Sequence, residues 1–264
     1  MNLTKKMIIA STSILLALGS VSGFTTVVGA TPQKQSKTQA TSSKSNLERQ
    51  KKEAMDIFDS KDKKPGHLTV LYDGTDNSLS FNYLGITSLD YDEYTKLLSK
   101  YKTPGLQQLG GIPEGYVFKS GEIVPSYPLF LTKAYEMMLK ELKAEAKGKK
   151  YYAKKLKWSE AGGAAVIFSK DSDVIRISSQ KVQPLITEVT RVPGKGEKFE
   201  NLSIKGIDAI YSTNSNDLYS TKLSWEDAEK QLKYEISTYK KSTLTKEDLV
   251  AIAESMIQKY SQKN

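Results

Sequence analysis

Hydrophobic and polar residues alternate with a period of two in several separate stretches of this chain, and with a helical period in four others. From His67 to Gly85, Leu68, Val70 and Tyr72 alternate with polar neighbours, "DGTDN" turns, and Leu79, Phe81 and Tyr83 alternate back, which predicts a β-hairpin. Tyr219, Thr221, Leu223 and Trp225, followed by Leu232, Tyr234, Ile236 and Thr238, predict two more antiparallel strands with one wet face. Before them, Leu202 to Tyr211 reads as one strand, with Gly206 as a bulge or kink inside it. Further strands are expected at Tyr116–Ile123, Tyr151–Trp158 and Val182–Val192. Between the last two, a glycine turn at Gly162-Gly163 precedes a hairpin of Val166–Phe168 against Val174–Ile177.

The helical periods fall at Asn46–Ser60, after Ser88, at Leu129–Ala146 and after Thr245. In the second, Ser88 is the expected cap and Leu89, Tyr94, Leu97, Leu98 and Tyr101 the inward side chains. The third carries Leu131, Tyr135, Met138 and Leu142 on one stripe. The last is capped by Thr245, has Glu247 and Asp248 in its first turn, and aligns Leu249, Ile252, Ala253, Met256 and Tyr260. Strands that alternate and run consecutively, with few intervening helices, predict an α+β fold: an antiparallel sheet packed on the 129–147 and 245–260 helices.

The N-terminal segment changes the picture from fold to location. Lys5 and Lys6 precede an uncharged run from Met7 to Leu18, and Val28 and Ala30 stand where a signal peptidase would read small residues. Residues 1–30 are therefore expected to be a cleaved secretory signal, with an uncleaved membrane anchor as the alternative. Residues 31–47, rich in Ser, Thr, Gln and Lys, are expected to be a disordered basic linker. Residues 48–107 form a helix-hairpin-helix region, either a separate subdomain or the first layer of one sheet, and residues 108–264 form the main domain.

Composition removes several classes of function. The chain has no cysteine, so neither disulfides nor lipid attachment at a cysteine contribute. The net charge of +9 is concentrated: residues 1–30 carry +2 and residues 31–52 carry +5, which leaves +2 for residues 53–264. A globular nucleic-acid-binding domain is not expected from that distribution, whereas a basic tail suits an anionic wall polymer or membrane surface. A second concentration lies at residues 133–157, with nine lysines against three glutamates. Lys147, Lys149, Lys150, Lys154 and Lys155 are its candidate anionic-partner surface, a solvated helix face and loop being the plainer reading.

No motif supplies catalytic chemistry. His67 is the single histidine and cannot form a metal cluster, so no metal and no cofactor are expected. Ser-x-x-Lys recurs at Ser60, Ser99, Ser178 and Ser237 without its companion motifs, as chance predicts in a lysine-rich chain. "PGKGEK" from Pro193 lacks the spacing of a phosphate loop, and the pairs Asp73/Asp76 and Asp171/Asp173 suit hairpin turns without completing a calcium loop. The 15 tyrosines suit either a half-wet sheet or the rim of an apolar cavity. If a cavity exists, Tyr135 and Met138 of the long helix are expected to face Phe168, Trp225 and Tyr234 of the sheet.

Four segments, "IPEGYVFKSGEI", "VIFSKDSDVIRISSQ", "KGIDAIYSTNSNDLYSTKLSWEDAEKQLKYEI" and "LTKEDLVAIAESM", together resemble an exported bacterial domain of unknown function over about residues 108–260. That family occurs in secreted proteins of Bacillus-like bacteria and at the extracytoplasmic ends of anti-sigma factors. It is similar in turn to lipoprotein carriers and envelope-stress sensors. The resemblance implies a strongly curved antiparallel sheet over helices with an apolar cavity, and binding in place of catalysis. The expected function is thus a non-enzymatic, exported envelope module that binds a lipid, peptide or protein partner. The alternative is a wall-associated interaction protein without a ligand cavity, and a hydrolase is a distant third.

Overall fold

Alternating apolar residues form eleven strands and the helical stripes form four helices in the computed structural model, which describes residues 37–106, 109–187 and 193–261. In chain order these are α1 (Lys37–Phe58), β1 (His67–Asp73), β2 (Ser78–Leu84), β3 (Ile86–Ser88), α2 (Tyr91–Lys100), β4 (Val117–Pro125) and α3 (Lys133–Glu145). Then come β5 (Tyr151–Lys155), β6 (Ala161–Lys170), β7 (Asp173–Lys181), β8 (Glu197–Ile204), β9 (Ile207–Asn214), β10 (Tyr219–Asp227), β11 (Leu232–Tyr239) and α4 (Lys246–Ser261). The fold is α+β, as the alternation predicts, with a three-stranded antiparallel sheet, β2-β1-β5, and a curved, unclosed eight-stranded one, β3-β4-β6-β7-β11-β10-β9-β8.

The large sheet buries one face. Val166 pairs with Ile177, Ile177 with Ile236, Ile236 with Leu223 and Leu223 with Tyr211, so one apolar row crosses five strands. Side chains on alternate residues of a strand share a face, and this row meets Tyr94 and Leu98 of α2, Leu106, and Leu249, Ile252, Ala253 and Met256 of α4. Helix α4 begins as its sequence demands. The Thr245 amide and hydroxyl donate to the Asp248 carboxylate at 2.8 and 2.9 Å, and the Asp248 amide returns a bond to Thr245 Oγ1. The link from β11 into α4 is held by Asp173, whose Oδ2 accepts from the Ser242 hydroxyl, the Thr243 amide and the Thr243 hydroxyl at 2.9–3.1 Å. Burial alone would raise the Asp173 carboxyl, but these donors together with the Tyr116 phenol hold it below its ordinary range.

The small sheet lies between two helices. Thr69 Oγ1 and Asn82 Nδ2 both donate to the carbonyl of Phe58 at the end of α1, while Val70, Tyr72 and Leu79 pack with Tyr135, Leu142 and Ala146 of α3 on the other face. Strand β5 completes this sheet beside β1, Leu71 opposite Ala153. A three-layer unit of α1, sheet and α3 is thus assembled from two distant parts of the chain. Trp158 Nε1 donates to the Gly66 carbonyl at 2.8 Å and its ring lies 4.8 Å from Tyr101, which ties the end of this unit to α2.

Several expectations change. The segment expected to be a disordered linker, residues 31–47, is helical from Lys37, where α1 begins; residues 1–36, including the expected signal, lie outside the described residues. The boundary expected near residue 108 does not coincide with a change of unit, because α3 and β5 rejoin the N-terminal hairpin. Helix α3 packs on the small sheet, and α2 joins α4 on the large one. Gly206 is no bulge: Ile204 pairs with Ile207, and Lys205 and Gly206, at φ 50° and 82°, form a tight two-residue turn that splits the expected strand into β8 and β9. Gly162 and Gly163 lie within β6. The expected strand at Val182–Val192 reduces to a single bridge between Thr132 and Leu185, its last residues, 188–192, being outside the described ones. Leu89 is 79% exposed, because Asp90 caps α2 and leaves Leu89 before the helix.

Candidate functional surface

Helix α3 starts at Thr132, whose hydroxyl accepts from the Tyr135 amide at 3.2 Å, and it reaches its C-terminus through Lys143 and Ala146. Its inward stripe of Tyr135, Met138, Leu142 and Ala146 packs on β1 and β2. The Tyr135 phenol accepts from the Leu79 amide at 2.7 Å and faces the Leu79 carbonyl at 3.3 Å, so one hydroxyl closes part of β2, the edge strand. Replacing Tyr135 by Phe strands that buried amide and should cost about 1–3 kcal/mol in urea unfolding. A loss under 0.5 kcal/mol would show that the edge is satisfied without it.

The five residues expected around a cavity do not converge. Tyr135 and Met138 belong to the core of the small unit, whereas Phe168, Trp225 and Tyr234 belong to the core of the large sheet. There, the Trp225 and Tyr234 rings stack at 5.2 Å with 15° between their planes, and Phe168 meets Phe118 edge-on at 6.2 Å. The backbone of Gly105 lies so close that a Cβ on it would come within 2.6 Å of the Tyr234 oxygen. These aromatic positions are occupied by protein against protein, which is a core arrangement.

The lysines are arranged differently. Lys147, Lys149, Lys150 and Lys155 are exposed; Lys154 is not free, because it bridges Glu145 at 2.6 Å and Glu141 at 3.4 Å. That bridge depresses the Glu145 carboxyl below its ordinary value, the Lys154 hydrogen bond being the largest cause. The Lys150 amide donates to Gln50 Oε1 at 2.9 Å, its ammonium reaches the Gly74 carbonyl at 3.4 Å, and Lys51 stands 5.7 Å from the Tyr151 ring centre. Exposed Lys51 of α1 therefore joins the 147–150 corner, a juxtaposition created by the α1–β5 contact and invisible to spacing along the chain. Beside α3, a shallow groove of about 340 Å³ is lined by Asn77, Glu136, Leu139, Lys140 and Lys143.

Charge separates with the architecture. The small unit and its connections, residues 37–84 and 126–158, hold 17 Lys and Arg against 10 Asp and Glu, a net +7. Residues 85–125 and 159–264 hold 19 against 20, a net −1.

His67 stands at the start of β1, and its Nε2 is buried without a hydrogen-bond partner. Burial first, then the charges of Lys155 and Lys63, push its imidazole below the ordinary range and keep it neutral. Among the described residues, no three His, Asp or Glu side chains are placed to hold a metal ion, and no helix is long and apolar enough to cross a membrane.

No curated protein and no solved structure matches the chain. Residues 142–256, from Leu142 of α3 through β5 to Met256 of α4, match the family described as "Domain of unknown function (DUF4367)".

Proposed function

We propose that this protein is an exported, non-catalytic envelope module that works by surface contact with an anionic partner, through the lysine-rich face of its small unit. The observation that carries this reading is the partition of charge, +7 on residues 37–84 and 126–158 against −1 on the rest of 85–264. A positive face of this kind raises the local concentration of an anionic polymer or surface and steers its approach. The export part of the reading rests on the basic, then uncharged, then small-residue pattern of residues 1–30. A carrier that encloses an apolar ligand is less well supported, since the side chains expected to line its cavity pack in two separate cores.

Retention on immobilised polyphosphate at two salt concentrations tests the proposal. The protein should be held at 50 mM salt and released by 200 mM, as an interaction built on several lysines requires. Replacing Lys51, Lys147, Lys149 and Lys150 by Gln should abolish retention, while replacing Lys198, Lys205, Lys240 and Lys241 of the large sheet and its turns should leave it unchanged. Equal loss in both variants, or retention indifferent to salt, would reject the surface assignment.

A further inference from the structure

The outward stripe of α3 runs Lys133, Met137, Lys140 and Ala144, at spacings of four, three and four that place them on one side of the helix, and Lys147 follows just past the Ala146 cap, in a left-handed turn at φ 48°. All five are exposed, and Met137 is 62% exposed, an apolar side chain projecting into water between two lysines. Glu136, a helical turn from both Lys133 and Lys140, is the one acid at the edge of this stripe and lines the groove beside Lys140. Glu141 and Glu145 lie on the other flank and are drawn to Lys154. Lys133, Lys140 and Lys147 make no ion pair among the described residues. The opposite stripe, by contrast, is fully used in packing on β1 and β2. The crest of α3 and the turn after it therefore form a cationic ridge with an exposed apolar residue between its first two lysines.

From this ridge we infer that α3 is a membrane-contact helix, which lies along an anionic bilayer with Lys133, Lys140 and Lys147 at the phosphates and Met137 and Ala144 turned toward the acyl boundary. This rests on the reading of the small unit as an anionic-partner surface and names that partner. A soluble polyanion would use the three lysines but has nothing to offer Met137. A bilayer interface offers phosphate and hydrocarbon together, within reach of one exposed helix face.

The chain has no cysteine, so one introduced thiol reports from one place. Full-length protein labelled with a polarity-sensitive fluorophore at Met137→Cys is mixed with vesicles of phosphatidylcholine containing phosphatidylglycerol, and with vesicles of phosphatidylcholine alone. An identical label at Ala228→Cys, in the exposed β10–β11 turn, serves as the comparison. Emission from position 137 should shift to the blue, and be quenched by brominated lipid, on anionic vesicles only; position 228 should not respond. Replacing Lys133, Lys140 and Lys147 by Gln should lower the partition coefficient on the order of 100-fold, about fivefold per lysine. Any attachment through the apolar N-terminal segment would act on neutral vesicles as well and would leave position 137 wet. If position 137 stays wet on anionic vesicles while the protein still binds polyphosphate, the bilayer assignment is overturned and the anionic-partner reading stands. If it stays wet and polyphosphate is not bound either, both are overturned.

Discussion

Replacing Gly121 by Ala should unfold the large sheet at much lower urea than the parent, with a loss of about 3–5 kcal/mol. Gly121 of β4 lies opposite Val166 and continues the apolar row that crosses the sheet. It is where the Tyr94 ring of α2 rests: a Cβ there would come within 2.3–2.5 Å of three ring carbons. Tyr94 is fully buried, tilted against Phe118 at 5.9 Å, and its hydroxyl has no partner. The ring is fully enclosed, so the extra methyl must displace it or push α2 off the sheet. The energetic cost then approaches that of deleting a core aromatic, a large fraction of the 5–15 kcal/mol that holds an ordinary domain together. The double variant Gly121→Ala/Tyr94→Leu separates causes. If steric contact is responsible, the glycine change should cost much less once the ring is gone. An equal cost in both backgrounds would place the effect in the β4 backbone.

Trp225→Ala should cost a comparable 3–5 kcal/mol, with no added ligand needed to reveal it. Trp225 is 4% exposed, pairs across the ladder with Tyr234 and stacks on its ring. Truncation removes the indole and leaves Tyr234, 1% exposed, without its stacking partner. The variant distinguishes a core residue from the wall of a ligand cavity. A cavity wall gives up little stability when trimmed in the empty protein, so a loss under 1 kcal/mol would revive the carrier reading. Retention on polyphosphate should be unaffected at temperatures where the variant is folded, because the lysine-rich face lies on the other unit.

Elements were legible in this sequence wherever a local rule determines them. The β1–β2 hairpin follows from alternation either side of a turn cluster, and the α4 start from Thr245 with Asp248 three residues on. What failed locally did so for identifiable reasons. Lys205 adopts a positive φ that a lysine seldom signals, so the β8–β9 turn resembled an interruption in one strand. Gly162 and Gly163 stand in a strand whose neighbouring backbone leaves no room for a Cβ, Ser126 Cα lying 2.8 Å from where one would stand on the first and the Ser179 carbonyl 2.6 Å on the second. The destination of α3 was not legible at all. Its stripe of Tyr135, Met138 and Leu142 says that a face is buried, but two sheets compete for it, and only the β1–β5 pairing decides between them. The five candidate cavity residues fall into two separate cores for that reason. The candidate lysines were half legible: their number is a property of the chain, whereas the sequestering of Glu141 and Glu145 by Lys154 and the approach of Lys51 depend on tertiary contacts.

The insertion of β5 beside β1 also sets an order of events. Thr69 finds its partner in Lys155, and everything from β2 to α3 must be synthesised between them. While the chain grows, the β1–β2 hairpin waits with one side unpaired and no α3 to cover it. A lone two-stranded hairpin is marginal in water, so this half of the molecule stays unfolded until residues 133–155 arrive. A cut at residue 108 would accordingly yield two fragments that each lack a layer, and residues 142–256 alone would carry β5 as a strand with nothing to pair with.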